Sequence, residues 1–144
     1  MTTPKPVILL AEDDENDVFF MRRALQKSKA DFALQLARDG QQAVDYLSGQ
    51  EVFNNREEHP LPTVVLLDLK MPFLDGFEVL MWIRSQPSLN GIPVAVLTSS
   101  AEERDRRRAT ELGARAYFVK PPKPETIQEI VRLIEEPGEK AITS

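Results

Sequence analysis

The chain has 144 residues, the size of one ordinary domain, and its 42% hydrophobic and 28% charged residues make it too apolar for a disordered chain. Eighteen Lys+Arg against 23 Asp+Glu leave a net charge of −5, which disfavours a phosphate backbone as partner unless the basic residues gather on one face. The absence of cysteine excludes a disulfide framework, thiol catalysis and cysteine-ligated zinc or iron–sulfur sites, and a single histidine, His59, excludes a polyhistidine metal centre.

Met1 to Pro6 lacks the apolar stretch of a signal peptide. Val7-Ile8-Leu9-Leu10-Ala11 is a continuous apolar run that stops at Glu12-Asp13-Asp14, the pattern of a strand buried on both faces of a parallel sheet. From Glu15 to Lys29 the period turns helical, with Val18, Met21 and Leu25 on one face. Phe32, Leu34 and Leu36 alternate with Ala33, Gln35 and Ala37 in a second, less buried strand. Asp39-Gly40 is a turn, and Ala43, Val44 and Leu47 mark a short helix ended by Gly49. Residues 50–63 carry no period and read as a long polar loop that leaves His59 in solvent. Val64-Val65-Leu66-Leu67 is a third apolar run, ending in Asp68. After Pro72 and Asp75-Gly76 comes a helix with Phe77, Leu80 and Ile83 in register. Pro87, Gly91 and Pro93 break the chain before Val94-Ala95-Val96-Leu97, the fourth strand. A charged helix is expected from Ala101 to Leu112, closed by Gly113, and Ala116-Tyr117-Phe118-Val119 is a short fifth strand. Beyond Pro121, Pro122 and Pro124 the last helix puts Ile127, Ile130, Val131 and Ile134 on one stripe, and residues 137–144 form a short polar tail. No apolar run approaches a membrane span, so the expectation is a soluble, cytoplasmic chain with no membrane insertion.

Five strands alternating with five helices imply a single α/β domain with a parallel sheet and right-handed crossovers. In such sheets ligands bind beyond the carboxyl ends of the strands, where the strand order reverses. Glu12 and Asp13 end the first run, Asp68 the third, Thr98 the fourth and Lys120 the fifth. Three carboxylates, a hydroxyl and an ammonium therefore share one rim. Clustered carboxylates repel one another, so their pKa values rise or a cation neutralises them, and an all-oxygen donor set favours Mg²⁺. A carboxylate facing Mg²⁺ and a fixed ammonium suits in-line phosphoryl transfer onto the carboxylate oxygen.

These stretches, with Leu66-Leu67-Asp68-Leu69-Lys70-Met71-Pro72, Asp75-Gly76, Leu97-Thr98 and Val119-Lys120-Pro121, resemble the receiver domain of two-component response regulators over residues 6–136. The resemblance implies a flavodoxin-like, doubly wound five-stranded sheet of order 2-1-3-4-5 with five helices. By position, it implies Asp68 as phosphoacceptor and Glu12, Asp13, Asp68 and the Lys70 backbone carbonyl as holders of Mg²⁺. It likewise implies Thr98 and Lys120 as phosphoryl-binding groups and Tyr117 as the aromatic switch. The implied activity is phosphoryl transfer from the phosphohistidine of a sensor histidine kinase or phosphotransfer protein, followed by hydrolysis of the acyl phosphate. It would switch a surface for a downstream protein, with no external metabolic substrate. The long 50–63 stretch and Asp-Leu-Lys-Met-Pro further resemble stand-alone receivers of the phytochrome-associated type.

Blander readings stand beside these. Asp14 is better explained as a helix N-cap than as a metal ligand. Half-buried packing competes closely with the switch role for Tyr117. The run Arg104 to Arg108 reads as a solvated face with pairs Glu102–Arg106 and Glu103–Arg107. The family also uses the fourth helix and fifth strand to dimerise, so a homodimer through them is the expected assembly, and nucleic acid is not an expected partner. A haloacid dehalogenase-type phosphatase needs an acid where Lys70 stands. An EF-hand beginning at Asp13 would have Val18 and Ala24 where glycine and glutamate are needed. A pseudo-receiver scaffold that binds proteins without phosphorylation is the serious alternative.

Overall fold

Residues 5–135 are described by the computed structural model. Five short runs of aliphatic residues form one parallel sheet: β1 (Val7–Ala11), β2 (Ala33–Ala37), β3 (Val64–Leu67), β4 (Val94–Thr98) and β5 (Ala116–Val119), in spatial order β2-β1-β3-β4-β5. The connections carry α1 (Glu15–Ser28), α2 (Gly40–Ser48), α3 (Gly76–Arg84), α4 (Glu103–Glu111) and α5 (Pro124–Glu135). This is the flavodoxin-like α/β fold, and its order reverses between β1 and β3. The expected tail at 137–144 and the domain boundary at residue 136 lie outside the described residues.

The central strands are buried along their whole length, while β2 and β5, at the edges, are half-buried apart from Ala37. Side chains alternate across the sheet, as a period of two requires. Leu9, Ala11, Val65 and Leu67 meet Val79, Leu80 and Ile83 on the face covered by α2 and α3. Ile8, Leu10, Val64 and Leu66 meet Met21, Leu25, Ile127 and Ile130 on the face covered by α1 and α5. A smaller group of Leu69, Phe77, Val96 and Ala109 lies beneath α4. Among the described residues no helix is long and apolar enough to cross a membrane.

Helix ends refine the sequence boundaries. Asp14 caps α1 by accepting from the N–H groups of Asn16 and Asp17 at 2.8 and 3.2 Å, as its residue type favours. The helix stops at Ser28, one residue short of expectation, because Lys29 turns left-handed at φ 62° and the Ser28 hydroxyl takes the Leu25 carbonyl. Asp75 and Glu78 close a reciprocal capping box on α3. The start of α4 is Glu103 rather than Ala101, because the Ser100 hydroxyl accepts from the Glu102 N–H and holds residues 100–102 in a turn. The peptide between Lys120 and Pro121 is cis, and Pro124 opens α5.

The 50–63 segment is more ordered than a polar loop without period. It contains a 3-10 turn at Glu51–Phe53 and folds back on α2. The Arg56 guanidinium donates to the carbonyls of Tyr46, Leu47 and His59 at 2.8, 3.0 and 3.1 Å, two of them at the end of α2. The buried Tyr46 hydroxyl donates to the Pro60 carbonyl at 2.8 Å. His59 is not in open solvent: its ring packs edge-on against Tyr46 and Phe53, with centroids 5.7 and 5.1 Å apart. The tethers at Arg56 and Pro60, on either side of it, put the imidazole there.

Candidate functional site

The backbone ladder extends one residue beyond three strands and so places three of the rim side chains. Glu12 N–H donates to Ala37 O at 2.9 Å, Asp68 N–H to Ala11 O at 3.1 Å, and Lys120 N–H to Thr98 O at 2.8 Å. Gly76 serves the same end from α3. A Cβ on Gly76 would fall 2.3 Å from the Asp68 carbonyl oxygen, so only glycine lets the helix start this close to the strand end.

Glu12 and Asp68 are buried and Asp13 is exposed, and the three offer carboxylate oxygens within 4.8 Å of one another. Lys120 reaches into the group from β5. Its Nζ lies 2.7 Å from Glu12 Oε1, 2.9 Å from Asp68 Oδ2 and 2.6 Å from Asp17 Oδ2. Burial, assisted by the charge of Asp68 and opposed by the bond from Lys120, pushes the Glu12 carboxyl up to about 7. Burial acts on Lys120 in the opposite sense, yet its bonds to Asp17, Glu12 and Asp68 win and hold the ammonium above its ordinary range. The cluster thus carries more negative charge than its one lysine neutralises. The donors are carboxylate oxygens with no nitrogen or sulfur ligand among them, which fits a hard divalent cation.

The other expected residues surround this centre. Thr98 is fully buried at the end of β4, where its hydroxyl oxygen accepts from Ser100 N–H at 3.4 Å. Lys70 is exposed, with its N–H 3.4 Å from Asp68 Oδ1, and it flanks an open cleft of about 490 Å³ that Asp13 and Asp105 also line. Tyr117 lies half-buried on β5. Its hydroxyl donates to the Ser100 carbonyl at 3.0 Å and the Arg106 guanidinium stacks over its ring at 4.7 Å.

Two contacts escaped the sequence reading. Asp17 turns inward from the first turn of α1, and its spacing to Met21 (i+4) and Ala24 (i+7) puts it at the rim end of the buried stripe. Asp105, in the first turn of α4, accepts the Ser100 hydroxyl at 2.6 Å. The expected pairs along α4 are replaced by others: Glu102 lies outside the helix and meets Arg104 at 3.3 Å, and Glu103 meets Arg106 at 3.8 Å. Arg108 lies over the Phe77 ring at 4.2 Å, so this helix is not a plain solvated face.

The response regulator receiver domain family matches residues 8–132. This chain belongs to that family. The receiver is 40% identical over 119 residues to response regulator Rcp1 of Synechocystis sp. PCC 6803, covering 83% of this chain and 79% of Rcp1. A crystal structure of Rcp1 in an Mn²⁺-bound form superposes with a TM-score of 0.73 at 39% identity, covering 92% of each chain. The phosphorylated cyanobacterial phytochrome response regulator RcpA matches at 34% identity and a TM-score of 0.76, covering 92% of this chain and 93% of RcpA. The bacteriophytochrome response regulator RtBRR matches at 43% identity and a TM-score of 0.80, covering 91% of this chain and 78% of that one. The receiver thus resembles phytochrome-associated stand-alone regulators in sequence and in fold.

Proposed function

We propose that this receiver is a phosphorylation switch that accepts a phosphoryl group on Asp68 from the phosphohistidine of a sensor histidine kinase or phosphotransfer protein. The observation that carries the reading is the convergence of Asp68, Glu12, Asp13 and Lys120 on one rim, with the ammonium 2.9 Å from the acceptor carboxylate. Glu12, Asp13, Asp68 and the Lys70 carbonyl would hold Mg²⁺, which when bound supplies the positive charge that offsets the phosphoryl oxygens. The Mn²⁺-bound form of Rcp1 and the phosphorylated form of RcpA support both parts.

Asp68 Oδ2 is held by the Lys120 ammonium at 2.9 Å, whereas Oδ1 accepts only a long bond from Lys70 N–H at 3.4 Å, so Oδ1 is the oxygen that attacks phosphorus. The new P–O bond forms as the donor's P–N bond breaks, and the imidazole nitrogen keeps the bonding pair and takes a proton. Lys120 then donates to a phosphoryl oxygen in place of Asp68 Oδ2, and the Thr98 hydroxyl donates to another. In the return step a water oxygen attacks phosphorus, releasing inorganic phosphate and the Asp68 carboxylate. Thr98, Ser100 and Tyr117 form a bonded path from the carboxyl end of β4 to the α4–β5 face. A shift of Thr98 would reset this path and so change the surface offered to a downstream protein or to a second copy of the chain.

The test is intact mass and size-exclusion elution after incubation with Mg²⁺ and a small phosphodonor, with Asp68→Asn as control. A single phosphoryl adduct, absent from the variant and without Mg²⁺, is expected. No adduct, and no binding of beryllofluoride, would leave the pseudo-receiver scaffold as the reading.

A further inference from the structure

An ammonium has three N–H donors, and in this site each has its own carboxylate: Glu12, Asp68 and Asp17. Two of the three are claimed when the site works. Glu12 and Asp68 belong to the oxygen cluster suited to a cation, and Asp68 is the acceptor itself. Asp17 belongs to neither role. It also differs from its neighbour acid in the same helical turn: Glu15 is 84% exposed and reaches outward to Arg38 at 3.5 Å, whereas Asp17 is 29% exposed and turns inward to Lys120 at 2.6 Å. A carboxylate in the first turn already suits the helix dipole, but that accounts for Glu15 as well and not for the inward direction.

We propose that Asp17 is a positioning residue that keeps Lys120 aimed at the acceptor while the ammonium's other two partners are exchanged. The inference rests on the receiver reading of Asp68 and Lys120 and adds a residue to it. Lysine is flexible and its side chain here is only 11% exposed, so an ammonium that loses Glu12 to a cation and Asp68 to esterification needs one acceptor that stays. Asp17 is that acceptor. It sits on a regular helix whose start is fixed by Asp14, so its carboxylate returns to the same place in both states. Asp17 touches neither the phosphoryl group nor the donor; it acts through Lys120.

The test uses the full chain with Asp17→Asn and Asp17→Glu. In the Mg²⁺-loaded protein, where the cation competes for Glu12 and Asp68, the Lys120 ammonium should give a protected ¹⁵N–¹H signal, assigned by its absence in Lys120→Arg. That signal should be lost in Asp17→Asn and present in Asp17→Glu. With Mg²⁺ and phosphoramidate, Asp17→Asn should lower the maximal phosphorylation rate about ten-fold, as loss of a group that orients another does, with the half-saturating donor concentration unchanged. Asp17→Glu should recover most of the rate. An Asp17→Asn protein with wild-type signal and rate overturns the proposal. So does a rate loss that Asp17→Glu leaves in place, which would mark a role in α1 rather than in Lys120. A wild-type chain that takes no phosphoryl group would instead overturn the receiver chemistry, and the signal of the Mg²⁺-loaded protein would still decide whether Asp17 orders Lys120.

Discussion

Lys120 balances a group of carboxylates that would otherwise face one another across the switch point. Glu12 and Asp68 are buried beside it, and among the described residues neither has another cation within 4 Å. Removing the lysine leaves buried negative charge uncompensated, which is costlier than the net worth of the pairs it made. Lys120→Ala should therefore lower the metal-free protein's stability by about 3 kcal/mol, measured as a drop in the urea midpoint. Mg²⁺ should restore more stability to this variant than it adds to the wild type, because the cation then supplies the positive charge that Lys120 no longer provides. Equal Mg²⁺ effects in the two proteins would show that Lys120 and the cation do not share these carboxylates. Of the residues in this group, Glu12, Asp13, Asp68 and Lys120 are legible from their places at strand ends. Asp17 is not, because its partner lies 103 positions away and only the packing of α1 beside α5 on one face of the sheet brings them together.

At the scale of elements, α3 and the 50–63 segment each hold something in place by a close contact. The start of α3 rests on the Asp68 peptide, and Gly76→Ala would push a methyl into the Asp68 carbonyl and the Leu69 backbone. Overpacking of this kind costs about 1–3 kcal/mol, and here the strain falls on Asp68, the proposed acceptor, so both the melting temperature and the phosphorylation rate should fall. Gly91→Ala, where a Cβ meets nothing within 4 Å, is the matched control and should change neither. The 50–63 segment is tied to α2 by the Tyr46 hydroxyl and Arg56. Burial pushes the Tyr46 phenol up to about 12, with the Arg56 charge opposing it. The folded state therefore favours the neutral phenol. That contribution is complete below the ordinary tyrosine value of about 10 and is lost as the pH rises from there to about 12. In Tyr46→Phe the fall in stability across this alkaline range should be shallower than in the wild type, as followed by urea midpoints. An unchanged slope would show that the phenol titrates alike in the folded and unfolded chains. The order in this segment was hidden in the sequence because Arg56 and His59 look like ordinary loop residues until α2 supplies the carbonyls and the ring they pack on.

The described molecule is a sheet whose central strands are apolar up to the rim and whose carboxyl edge concentrates negative charge. A cation that binds only the folded chain adds stability by mass action, about 2.7 kcal/mol at a hundred times its dissociation constant. Mg²⁺ should accordingly raise the melting temperature of the wild type. Asp13→Asn should lose most of that rise while leaving the metal-free melting temperature close to its starting value, since Asp13 is exposed and its carboxylate holds no partner among the described residues. A full Mg²⁺ response in Asp13→Asn would place the cation elsewhere.

By itself the sequence determined the alternation of apolar strands and amphipathic helices, the strand ends where Glu12, Asp13, Asp68, Thr98 and Lys120 stand, and the caps at Asp14 and Gly49. These follow from local period and from residue types whose backbone and hydrogen-bonding preferences are intrinsic. The tertiary structure decided which carboxylates share Lys120, how Ser100 links Thr98 to Asp105 and Tyr117, which arginines of α4 lie over aromatic rings, and where His59 packs. Each of those contacts joins side chains on separate elements or depends on a turn closed by its own hydroxyl. Their partners are chosen by rotamer and packing once the sheet has formed, and neither leaves a period in the chain.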